Sequence, residues 1–161
     1  MMKEIQINKN LGKEEKYIEL TKQIKYLIEG EEDLIANLSN ICAAISETHK
    51  FLWTGFYIVK GNELVLGPFQ GPVACTRIAF GNGVCGKSWE DKKSIIVKDV
   101  NAFPGHIACS SKSKSEIVIP IFNNGNIYGV LDVDDSNYAA FDETDLKYLK
   151  GIIKLIEDNL G

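Results

Sequence analysis

Residues 115–135, Ser115-Glu116-Ile117-Val118-Ile119-Pro120-Ile121-Phe122-Asn123-Asn124-Gly125-Asn126-Ile127-Tyr128-Gly129-Val130-Leu131-Asp132-Val133-Asp134-Asp135, read as one β-hairpin. Glu116 to Phe122 is apolar at both alternating positions, the pattern of a strand covered on two sides. Pro120, which has no N–H to give to a ladder, marks an edge position or a local irregularity within it. Asn123 to Asn126 is the turn, because Asn-Gly accepts the positive φ that a tight hairpin demands. Ile127 to Asp135 is the partner strand, and its period of two sets Tyr128, Val130, Asp132 and Asp134 on one face with Leu131 and Val133 on the other.

The flanks supply the cover. Downstream, Asp142 caps a last helix whose core stripe is Leu146, Leu149, Ile152, Ile153 and Ile156. At the other end, two helical patterns run over Glu14–Glu29 and Glu31–Thr48. The second carries Leu34, Ile35, Leu38, Ile41, Cys42 and Ile45 on its buried stripe. Residues 1–12 are expected to be a flexible N-terminal extension. Between these helices and the hairpin the period is that of strands: Leu52–Lys60 and Glu63–Phe69 around a Gly61-Asn62 turn, then Thr76–Phe80 and Ser94–Val97. Val84–Glu90 is a short helix. Lys98–Ser113 is a long polar loop, and loops of that length in a small domain are usually functional or disordered. Helices, a mainly antiparallel sheet and a closing helix give an α+β sandwich, in one domain over residues 1–161.

Composition narrows the function. The net charge is −4, from 18 basic and 22 acidic residues, and Arg77 is the only arginine. A mildly acidic chain so poor in guanidinium forks is not built to read nucleic acid. The first twenty residues are studded with charge and contain no apolar run, so neither a signal peptide nor a membrane anchor is expected, and the default setting is the cytoplasm. Structural disulfides are not expected in that reducing compartment, which leaves the four cysteines as buried thiols, metal ligands or redox groups.

Cys42, on an apolar helix stripe, reads as a small core hydrophobe. Cys75, Cys85 and Cys109 sit in or beside Gly- and Ser-rich loops, where accessible, reactive thiols are expected. Their spacings of ten and twenty-four residues contain no Cys-x-x-Cys pair, so no zinc site is expected. His106, three residues before Cys109, is a weak ligand pair for it. Backbone N–H groups and lysines after Cys109 suit a thiolate, although an incidental cysteine in a solvated loop has the same signature. The face shared by Asp132 and Asp134, with Glu116 across the hairpin, is a three-carboxylate cluster able to hold an ammonium group or a transferable proton, because like charges raise at least one pKa. The other reading of these carboxylates is a strand end in solvent. Trp53 and Tyr57 share a strand face with Gly55 leaving space between them.

These separated motifs resemble the free methionine-(R)-sulfoxide reductase family, single-domain GAF proteins, over about Tyr17 to Leu160. The resemblance rests on Trp53-Thr54-Gly55-Phe56-Tyr57, Leu66-Gly67-Pro68-Phe69-Gln70-Gly71, Gly83-Val84-Cys85-Gly86, Phe103-Pro104-Gly105-His106-Ile107-Ala108-Cys109, Ser115-Glu116-Ile117-Val118-Ile119-Pro120 and Leu131-Asp132-Val133-Asp134. It implies a GAF fold, a central antiparallel sheet of about six strands with helices on both faces. It implies reduction of free L-methionine (R)-sulfoxide by Cys109 as nucleophile, with Cys75 and Cys85 as the other redox cysteines, Cys75 being favoured as the resolving thiol. Glu116, Asp132 and Asp134 become the polar site residues, with Glu116 and Asp134 also candidate catalytic acids, and Trp53 and Tyr57 become an aromatic wall. The backbone around Ile107 and Ala108 becomes a carboxylate cradle. No cofactor or metal is implied; a dithiol such as thioredoxin is, and so is a homodimer through the N-terminal helices. The competing reading is a non-catalytic GAF sensor, which has no need of three loop cysteines beside three carboxylates.

Overall fold

The computed structural model describes residues 3–161. Two helices, α1 (Lys13–Ile28) and α2 (Leu34–His49), precede β1 (Trp53–Lys60), β2 (Glu63–Gln70) and β3 (Arg77–Ala79). Helix α3 (Gly83–Asp91), β4 (Ile95–Val97) and a 3₁₀ turn at Val100–Ala102 lead to β5 (Ser115–Asn123), β6 (Asn126–Asp135) and α4 (Glu143–Glu157). The strands form one sheet in the order β3-β2-β1-β6-β5-β4, every neighbouring pair antiparallel. This is the expected six-stranded α+β architecture.

Local chemistry sets the boundaries. The hairpin β5–β6 turns at Asn124 (φ 52°) and Gly125 (φ 80°), both left-handed, as an Asn-Gly turn of this twist requires. The Asp33 carboxylate accepts from the Ala36 N–H at 2.9 Å, so α2 starts at Leu34 and not at Glu31. A capping box opens α4: Asp142 accepts from Thr144 and Asp145 N–H groups while the Asp145 side chain accepts from the Asp142 N–H. The same Asp145, buried, accepts from the Tyr17 hydroxyl at 2.6 Å and pairs with Lys13, which fastens α1 to α4.

Three helices cover one face of the sheet and α3 covers the other, so the two faces have separate cores. Leu131 and Val133 of β6 and Ile117, Ile119 and Ile121 of β5 pack beneath α1, α2 and α4. Trp53, Tyr57, Val118 and Val130 pack on the opposite side with Val84 and Cys85 of α3. Pro120 sits at a local edge, as expected: it pairs with Val130 of β6, while β4 reaches only Val118 and leaves its other side without a neighbouring strand. Tyr128 corrects the alternation expected of β6. It is the extra residue of a bulge where Phe122 pairs with Ile127 and Ile121 with Gly129, and its ring packs in the helix-side core. Ile35 leaves its stripe too: in the first turn of α2, at the stripe's margin, it is 59% exposed.

Residues 3–11 are not the loose extension expected of 1–12. Ile5 and Ile7 pack against the helix-side core, and Gln6 and Gln23 exchange two hydrogen bonds of 2.8 Å. Met1 and Met2 lie outside the described residues. No helix of the described residues is long and apolar enough to cross a membrane. Cys42 is fully buried, its thiol donating to the Pro68 carbonyl at 3.3 Å, and burial pushes its pKa well up, as befits a core thiol.

Candidate active site

Strand register builds the floor of the site. Asp134 lies between Trp53 on β1 and Glu116 on β5, and Asp132 between Gly55 and Val118, so the carboxyls of two strands gather on the face turned away from the three helices. The loop residues 71–76, the first turn of α3 and the segment 106–113 close over them. The cavity so formed is lined by Trp53, Tyr57, Cys85, Ile107, Cys109 and the three carboxylates, with His106 and Ser113 beside them. Nine of the ten candidate site residues therefore meet in one place, Cys75 by its bond to Cys109. The tenth, Ala108, is exposed and its side chain is not part of the lining.

Cys75 and Cys109, 34 residues apart, are joined in a disulfide with Cα atoms 5.4 Å apart. Both are half-buried, and Cys109 lines the cavity. Cys85 is different from the exposed loop thiol expected. Gly83 begins α3, which carries Cys85 inward to 3% exposure, where burial first and then Asp132 and Glu116 hold its thiol protonated.

The three carboxyls are titrated by their surroundings. Burial, then the neighbouring Asp132 and Asp134, raises Glu116 well above the usual carboxylate range. Burial and Asp132 do the same to Asp134, against a 2.7 Å hydrogen bond donated by Ser113. Burial also raises Asp132, and its Oδ1 is buried with no hydrogen-bond partner. Three carboxyls this close in a buried pocket hold their protons more tightly than free ones do, with Glu116, Cys85 and Asp134 placed to share protons with Asp132. One donor atom each from Cys85, Glu116 and Asp132 lies within 4.8 Å of the others, a cation-sized set that spacing along the chain does not reveal. An ammonium group, which only donates, would find its acceptor there in Asp132 Oδ1.

Aromatic residues form the remaining wall. Trp53 stacks on Tyr57 with centroids 5.9 Å apart and on Phe69 at 5.3 Å. The indole lies across Gly55, where an added Cβ would come within 2.7 Å of the Trp53 ring, so only glycine admits this pose. Both polar tips are engaged by the loop opposite: Trp53 Nε1 donates to the Pro72 carbonyl at 3.0 Å and the Tyr57 hydroxyl to that of Cys75 at 2.8 Å. These two contacts and the role of Ser113 are not visible in the sequence, because loops cross the sheet to make them and no spacing signals it.

A GAF domain family model matches residues 31–160. Over 159 residues the chain is 55% identical to GAF domain-containing protein A of Dictyostelium discoideum, covering 98% of this chain and 100% of that one. It is 44% identical to free methionine-R-sulfoxide reductase of Saccharomyces cerevisiae, over 94% of this chain and 89% of that protein. The solved structure of free methionine-R-sulfoxide reductase from Neisseria meningitidis in complex with its substrate superimposes with a TM-score of 0.96 at 46% identity, covering 98% of this chain and 95% of that one.

Proposed function

Given that the chain belongs to the GAF domain family and, within it, to the free methionine-R-sulfoxide reductases, we propose how its residues carry that reaction. It is a thiol-dependent oxidoreductase that converts free methionine R-sulfoxide to methionine. Cys109 is the nucleophile. Its thiolate bonds to the sulfoxide sulfur as Glu116 or Asp134 gives a proton to the sulfoxide oxygen. The sulfur–oxygen bond to methionine then breaks, that oxygen bonds to the Cys109 sulfur, and the transient sulfur–sulfur bond breaks, so methionine leaves and Cys109 is a sulfenic acid. Cys75 then attacks that sulfur, water departs, and the Cys75–Cys109 disulfide is left for an external dithiol to reduce.

The cluster divides this work by its electrostatics. The open Oδ1 of Asp132 accepts from the substrate ammonium, and the proton-holding Glu116 and Asp134 supply the acid. Trp53 packs on the S-methyl group and so selects the epimer by shape, while the backbone N–H groups of Ile107 and Ala108 take the carboxylate. A pocket that reads both charged ends of a free amino acid refuses methionine within a peptide. Cys85, buried and protonated, is a second thiol in reach of the site.

The reductant is a thioredoxin-type dithiol, the setting the reducing cytoplasm where such dithiols are kept. Exposed Ile18 of α1 and Ile35 of α2 give the N-terminal helices an apolar surface for a homodimer, which sedimentation equilibrium measures directly.

The observation that carries the reading is the closed Cys75–Cys109 pair over a buried carboxyl with an unpartnered oxygen. Its test is one turnover without reductant. Reduced protein mixed anaerobically with the free R-sulfoxide yields one methionine per chain, and peptide mapping finds Cys75 joined to Cys109. Methionine formed without loss of these two thiols refutes it.

A further inference from the structure

The two cysteines that must meet are held in different ways. The Cys75 segment is tied to the sheet at three carbonyls: Trp53 Nε1 donates to Pro72 at 3.0 Å, the Tyr57 hydroxyl to Cys75 at 2.8 Å and the Leu66 N–H to Thr76 at 2.9 Å. The Cys109 segment bonds mostly within itself, through Cys109 N–H to Ile107 O at 3.1 Å, His106 N–H to Phe103 O at 3.1 Å and Lys112 N–H to Ser110 Oγ at 3.2 Å, and meets the sheet four residues on, where the Ser113 hydroxyl donates to Asp134 at 2.7 Å. The Cys75 backbone is therefore held by the sheet at the cysteine itself, the Cys109 backbone at a distance from it.

Tyr57 stands in the middle of this arrangement. It lies on β1 between Leu66 of β2 and Val130 of β6, is 2% exposed, and its ring is braced by Trp53. Its one hydroxyl proton is given to the Cys75 carbonyl. The end of the side chain thus belongs to the Cys75 backbone, while only the ring faces the cavity.

We propose that Tyr57 is a positioning residue for the second chemical step, its hydroxyl holding Cys75 where the Cys109 sulfenic sulfur must be attacked. The inference rests on the reaction course proposed above. In that step the Cys75 thiolate forms the sulfur–sulfur bond as the sulfur–oxygen bond of the sulfenic acid breaks, and the departing hydroxide takes a proton to become water. The two sulfurs end one oxidation level apart from their thiols, and no further oxidant is needed. A thiol held in place reacts as at high effective concentration, and the fixed carbonyl is what removes its freedom. Prompt closure also denies oxidants the exposed sulfenic acid.

The test separates the steps. Reduced Tyr57→Phe, which keeps the ring, is mixed with one equivalent of free methionine R-sulfoxide and quenched over time. Methionine reports the first step; thiol loss and dimedone trapping on Cys109 report the second. The expected result is a ratio of disulfide formation to methionine formation roughly three- to tenfold below the wild-type ratio, the worth of one buried hydrogen bond, with trapped sulfenic acid approaching that of Cys75→Ser. The methionine formed shows that the site is folded, so a slow second step is not misfolding. Disulfide formation keeping the wild-type ratio overturns the proposal, and a Tyr57→Phe protein that forms no methionine overturns it by placing the hydroxyl in the first step. A wild-type protein that forms no methionine overturns the underlying reaction course as well.

Discussion

Asp132→Asn removes the carboxylate's charge and exchanges one acceptor oxygen for an NH2 donor while keeping the side chain's size, and its effect follows from the charges around it. Asp132 Oδ1 is buried and unpartnered, and in the proposed reaction course it accepts from the substrate ammonium. A hydrogen bond to a charged group in such a place is worth about 1.5–3 kcal/mol, or roughly 10- to 150-fold in kcat/KM. The loss should fall mainly on KM, because the ammonium is held equally before and during the reaction. A second effect has a definite sign. After burial, the charge of Asp132 is the largest cause raising both Glu116 and Asp134. Without it their pKa values fall, though burial keeps them elevated. The acid then loses its proton at lower pH, so the alkaline limb of the pH–rate profile moves toward neutrality. The assay is methionine formation with dithiothreitol as reductant, between about pH 5 and 9, which keeps any protein reductant out of the measurement. A loss under threefold with the alkaline limb unmoved refutes this division of labour among the carboxyls.

Other consequences are as specific. Cys109→Ser abolishes turnover with the fold intact by circular dichroism, whereas Cys42→Ser leaves kcat/KM unchanged, since Cys42 is buried in the core under the three helices. Gly55→Ala drives a methyl group to 2.5 Å from Phe69 Cβ and closer still to the Trp53 ring, and should cost about 1–3 kcal/mol in denaturant titration together with a raised KM. His49 is held neutral by burial and by Lys16 and Lys13, its pKa lowered from the ordinary 6.5 to about 4. The unfolded chain takes up that proton first, so stability is full above pH 6.5 and is lost as pH falls from 6.5 through about 4. Thermal unfolding at stepped pH should show this loss, and His49→Phe, which keeps the stack on Tyr17 and Phe51, should flatten it.

Much of this was legible in the chain because it depends on local order. The Asn-Gly turn and the period of β5 and β6 specify a hairpin whose register brings Glu116, Asp132 and Asp134 to one face, and the loop motifs carry the family resemblance. Tyr128 departs from the period of two because a bulge, set by where the hairpin's two strands fall out of step, reverses the alternation beyond it. Cys85 is buried rather than accessible because the packing of α3 on the sheet turns the helix's first turn inward, which the glycines around it do not signal. Ser113 and the carbonyls of Pro72 and Cys75 lie in segments without periodicity. Their contacts exist because distant loops converge over the same sheet, which no spacing along the chain encodes.

The central claim, that this site reduces a free amino acid by thiol chemistry, meets its most direct test in the coupled assay run with thioredoxin, thioredoxin reductase and NADPH on four substrates. These are the R and S epimers of methionine sulfoxide, each free and within a peptide. The account predicts NADPH consumption matched by methionine for the free R epimer alone. Equal turnover of the peptide-bound R-sulfoxide, or of the free S epimer, contradicts it.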